Sequence, residues 1–135
     1  MADHLHPPNV HRRAARLGMN FVMLLLLAGM LAALGAAAYC YTVALTEAQR
    51  HFPQQFQDEP SSRYALDTLI WNRSVPVNAR RKYLWFLSFT SIAMGCLTLF
   101  MAARGPAFGA LLMGGVFVIG VVITMKRWLA HRDEL

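Results

Sequence analysis

The stretch LGMNFVMLLLLAGMLAALGAAAYCYTVAL, Leu17–Leu45, contains no charged residue and no histidine. A helix needs roughly 20 apolar residues to cross the hydrocarbon core of a bilayer. This stretch exceeds that length, which predicts a membrane helix that tilts or projects past the headgroups. Two further stretches, Tyr83–Ala103 and Gly105–Met125, are equally free of charge and histidine. The fold class predicted is an all-α integral membrane protein. It has three transmembrane helices, one long N-terminal span plus a C-terminal helical hairpin, and a short amphipathic interfacial helix in the first connector. The stretch is expected to be a retained membrane helix and not a secretory signal, whose apolar region runs only about 7–15 residues.

The remaining segments follow from these spans. Residues 1–16 form a basic tail expected to be disordered, 46–82 a polar connector, and 126–135 a C-terminal tail. The chain has 135 residues, 56% of them hydrophobic, and a net charge of +6. On a soluble protein that charge would suggest nucleic acid. Beside membrane spans, Lys and Arg act as topology signals and as partners for anionic lipid headgroups, so no nucleic-acid partner is expected. The headgroup candidates are Arg73, Arg80, Arg81, Lys82, Lys126, Arg127 and Trp128.

In the connector, Pro53 and Pro60 interrupt helix. Ser61 or Ser62 is placed to cap a helix over about 62–72. Leu66, Leu69 and Ile70 share one face of it, with Arg63 and Asp67 on another. Such a helix lies along the membrane surface or packs on another subunit. The connector acids Glu47, Asp58, Glu59 and Asp67 read as solvated charge. Pro76 suits the first turn of the next helix.

Small residues mark faces for helix contact. In the first span these are Ala28, Ala32, Gly35 and Ala36, with Gly29, Ala33 and Ala37 beside them. In the second, Ser88, Ser91, Gly95 and Thr98 follow spacings of three and four, which places them on one face. After the Arg104-Gly105-Pro106 turn come Gly105-x-x-x-Gly109 and Ala110-x-x-x-Gly114. Small and hydroxylated residues let helices approach closely and hydrogen-bond in lipid. Without a carboxylate at depth, the same stripe makes a poor ion path. The contact candidates are therefore Ser88, Ser91, Gly95, Thr98, Gly105, Gly109 and Gly114, and they are expected to face a partner.

An odd number of spans puts the termini on opposite sides. The connector and C-terminal tail carry Arg50, Arg63, Arg73, Arg80, Arg81, Lys82, Lys126, Arg127 and Arg132, whereas the other side has Arg12, Arg13, Arg16 and Arg104. The positive-inside rule then places the connector and C-terminus in the cytoplasm and the N-terminus outside. The Ala/Leu/Arg-rich usage points to a bacterial inner membrane. The sequon Asn72-Arg73-Ser74 and the Arg132–Leu135 ending, which resembles a retrieval signal, favour a eukaryotic ER membrane in the reverse orientation.

No nucleophile motif, carboxylate pair, phosphate loop or metal-ligand cluster occurs, so no catalytic, cofactor-binding or metal residue is assigned. His4, His6 and His11 read as polar tail residues. The leading expectation is a non-catalytic accessory subunit of a larger membrane complex; the same faces also suit a homo-oligomer. The alternatives are a membrane adaptor or regulator using its basic connector, and a small oligomeric transporter.

Overall fold

The structure, a computed structural model, describes residues 9–56 and 65–134. The expectations for His4 and His6, the Ser61/Ser62 cap, Arg63, Asp58 and Glu59 lie outside the described residues. The described residues contain three long helices and no strand: α1 (Asn9–His51), α2 (Val77–Arg104) and α3 (Ala107–Ala130). Each is long and apolar enough to cross a membrane. The chain is an all-α membrane protein.

α1 starts earlier and ends later than the apolar stretch alone suggests. Residues 9–16, expected to be irregular, are helical. The reason is local: no proline falls between Pro8 and Pro53, and arginine and alanine are good helix formers. Pro53 ends the helix, since the residue before a proline is pushed out of the α region. At 43 residues α1 is about 64 Å long. α2, with 28 residues, and α3, with 24, span about 42 and 36 Å.

α2 is the middle helix and packs on both α1 and α3. At the hairpin end the Arg104 guanidinium donates to Asn20 Oδ1 at 2.9 Å, which brings these two positions to one level. Roughly 20 residues further along each helix, one hydrocarbon thickness away, lie Cys40 and Leu84. With the Asn20–Arg104 level as one face of the hydrocarbon, the last turns of α1 and the first turns of α2 stand beyond the other face together.

That overhang carries the core. Ala44, Ala48, Leu66, Ile70, Val75, Ala79 and Tyr83 form one buried cluster, with Phe52, Phe56, Trp71 and Phe86 packed around it. The connector's described helical turn, 65–69, lies across the overhang and puts Leu66 and Ile70 onto it at 1% and 0% exposure. This corrects the expectation for the connector helix. Its apolar face covers α1 and α2 of its own chain, because alanines 44, 48 and 79 leave a shallow platform that leucine and isoleucine fill. Leu66 and Ile70 are thereby covered by their own chain, and Leu69 stays half-buried.

Two turns complete the fold. Pro76 sits at the N-cap of α2, and its carbonyl accepts from the N–H groups of Ala79 and Arg80 at 3.0 and 3.3 Å. Gly105 ends α2 in an ordinary extended conformation, φ −94° and ψ 176°. Its role is room: a Cβ there would lie 2.8 Å from the Met101 carbonyl oxygen.

Ile70→Ala is expected to lower stability by about 2–5 kcal/mol, the usual range for emptying a filled core site. Ile119→Ala, at a position 61% exposed on α3, is expected to change it by no more than about 0.5 kcal/mol. Reversible SDS titration of the detergent-solubilised protein measures both.

Candidate functional site

The seven helix-contact candidates converge on one seam, between α2 and α3 of the same chain. Gly95 faces the Phe117 ring so closely that a Cβ would meet Cε2 at 3.0 Å. Thr98 Cγ2 lies against Gly114, and the Ser91 hydroxyl against Gly120, at 3.6 and 3.7 Å from the Cβ each glycine lacks. Gly105 and Gly109 both border the Met101 side chain, which fills the space below the turn. Ser88 Oγ accepts from the Trp128 indole N–H at 3.2 Å and donates to the Leu84 carbonyl at 2.9 Å.

The hydroxyl pairing in this seam has a definite logic. Ser91 Oγ and Thr124 Oγ1 are 3.2 Å apart, and each also reaches a carbonyl of its own helix, Leu87 at 2.9 Å and Gly120 at 2.8 Å. Each hydroxyl has one proton. A hydroxyl that donates across the seam gives up its own backbone bond, while the other keeps its own. The stripe expected to meet a partner thus meets α3, since the tight Gly105-Pro106 turn brings the two helices side by side.

A polar layer closes the opposite end. Asp67 accepts from Tyr83 Oη at 2.9 Å and from Arg127 Nη2 at 2.7 Å. Trp71 stacks on His131, ring centroids 3.7 Å apart and planes 6° from parallel. The Arg127 guanidinium lies 5.8 Å from the Trp71 ring centre. Connector, α2 and the C-terminal end of α3 are joined here. Asp67 is therefore a part-exposed tertiary contact. The sequence holds no signal for it, because Asp67 and Arg127 lie 60 positions apart.

The headgroup candidates divide. Arg80 is buried at 5% exposure and donates to the carbonyls of Asn72 and Val75 at 3.2 and 3.1 Å. It does not reach headgroups, because the connector folds back over α2 and needs donors for its turn. Arg127 is bound by Asp67, and Trp128 is turned into the seam beside Trp85, 6.2 Å between rings. Lys82 lies over the Tyr39 ring at 5.2 Å. Arg73, Arg81 and Lys126 are exposed.

Among the described residues no group of three or more His, Cys, Asp or Glu side chains converges. The site that the structure does build is a packing device, polar at one end and small-residued along the seam.

Gly95→Leu is expected to destabilise the hairpin by about 1–3 kcal/mol through overpacking against Phe117. Adding Phe117→Ala should recover part of that loss in the same SDS titration. A double-mutant cycle on Asp67→Asn and Arg127→Gln is expected to give a coupling of at most about 1 kcal/mol, since both side chains are part-exposed, and less in high salt. Compared with protein-family models, with curated proteins and with solved structures, the chain matches none.

Proposed function

We propose that this protein is a non-catalytic accessory subunit that packs, through α1, against a larger membrane-protein partner. The observation behind this reading is the two-sided character of α1. Ala33, Ala37, Cys40, Ala44 and Ala48 are buried along one side. Ala28, Ala32 and Gly35 lie on the opposite side of the helix and are exposed, and a Cβ on Gly35 would meet nothing within 4 Å. Phe21 and Leu24 stand before this notch and Tyr39 after it, all exposed. A small-residue notch between bulky side chains suits the close approach of another helix, which in lipid is a main source of association energy.

The adaptor reading has less support, because Arg80 and Arg127 of the basic connector end are already engaged within the chain. The transporter reading has the least, because the hydroxyl stripe is packed by Phe117 and Trp128. The reading extends to a bacterial inner membrane with the connector on the cytoplasmic side, supported by the excess of Lys and Arg at that end.

Purification in mild detergent is expected to bring down one large membrane protein in stoichiometric amount. Ala32→Leu with Gly35→Leu should reduce its recovery by about fivefold or more, the effect of about 1 kcal/mol. Ile119→Leu on α3 should not. Unchanged recovery with the folded double variant would sink this proposal, and a homodimer alone would replace it with self-association.

A further inference from the structure

Near the hairpin turn, at the end away from the connector, a groove opens between α1 and α2. The groove between them has a volume of about 270 Å³ and is lined by Asn20, Met23, Leu24, Leu27, Phe100 and Arg104. A smaller cavity of about 70 Å³ shares Leu27 and Phe100 with it and continues along the seam to Met30 and Cys96. It closes where Gly29 meets Cys96 Sγ, 3.9 Å from the Cβ that Gly29 lacks. From Asn20 to Met30 the helix rises about 15 Å. The walls are apolar over this length, and the polar groups are confined to the mouth.

The mouth is cationic. Arg104 uses one amino group on Asn20 Oδ1, and a guanidinium carries five N–H donors in a fixed fork. Arg16 and Arg13 precede Asn20 by four and seven positions, so they share its face of α1 and stand above the groove. Both are exposed. No ion pair to an acid is formed by Arg13, Arg16 or Arg104 among the described residues. α1 runs on past the hairpin turn as helix, so Arg13 and Arg16 are carried to headgroup height.

We propose that this groove binds an anionic phospholipid, its phosphate held by Arg104 and Arg16 with Arg13 nearby, and one acyl chain lying along Leu24, Leu27 and Phe100. Guanidinium and phosphate match in charge and in fork geometry. The apolar length below the mouth selects a lipid over a free phosphate, which would leave Met23, Leu27 and Phe100 without an occupant. The site lies at the opposite end from the basic connector and meets the partner face on α1 only at Leu24.

The test uses the full chain in mild detergent, offered phosphatidylglycerol or phosphatidylcholine with identical acyl chains, and counts retained lipid by native mass spectrometry. Phosphatidylglycerol is expected to be retained about fivefold over phosphatidylcholine, the discrimination of about one charge-assisted contact. Arg104→Gln should bring that ratio near unity, and Leu27→Trp, which fills the groove, should lower retention of both lipids. Lys126→Gln at the far end should leave the ratio unchanged. Because Arg104→Gln also loses the Asn20 contact, Arg16→Gln is measured beside it, with circular dichroism and elution volume reporting folding. Equal retention of the two lipids by the unaltered chain overturns the proposal. So does a folded Arg16→Gln with the ratio intact, equal loss with Lys126→Gln, or displacement of the lipid by inorganic phosphate at the same concentration.

Discussion

Burying an apolar side chain lowers the free energy only where the alternative is water. Inside a bilayer the alternative is hydrocarbon, and leucine gains little by turning inward. That asymmetry accounts for where this chain keeps its core. The largest fully buried side chains are Leu66, Ile70, Leu84 and Val75. All lie at or beyond the level of Leu84, where α1 and α2 emerge from the hydrocarbon. Deeper in, Leu24, Leu25, Leu31, Leu111 and Ile119 remain outward. The hydrophobic effect thus operates on the overhang, and the spans must be held by other means.

Those means are contact distance and hydroxyl pairing. Along the α2–α3 seam three glycines answer larger side chains: Gly95 to Phe117, Gly114 to Thr98, Gly109 to Met101. The Ser91–Thr124 pair and the Trp128–Ser88 bond add polar contacts where water is scarce. α2 is served on both sides, by this seam and by the alanine face of α1. Its stripe of small and hydroxylated residues is half-buried against α3.

Much of this architecture is legible in the sequence, and the limits are physical. The three spans follow from uninterrupted apolar length, and the hairpin from Arg104-Gly105-Pro106. Periodicity also identifies the Leu66–Ile70 face as apolar. It does not say what covers that face, because lipid, a partner and the chain's own α1 all present the same hydrocarbon. Arg80 and Asp67 are misread for a related reason. A charge looks alike in any sequence context until tertiary folding brings Arg127 to Asp67 and the carbonyls of Asn72 and Val75 to Arg80. The contact stripe at Ser88–Thr98 is recognisable as a stripe, but the identity of its mate depends on which helix the turn delivers.

α1 is one unbroken rod from Asn9 to His51, gripped at two heights, by Arg104 on Asn20 and by the alanine platform under Leu66 and Ile70. A rod held at two points resists tilting against its neighbour far more than one held at a single point. Twisting it about its long axis would disengage both grips at once. A helix unbroken between these grips couples the hairpin end of the molecule to its connector end.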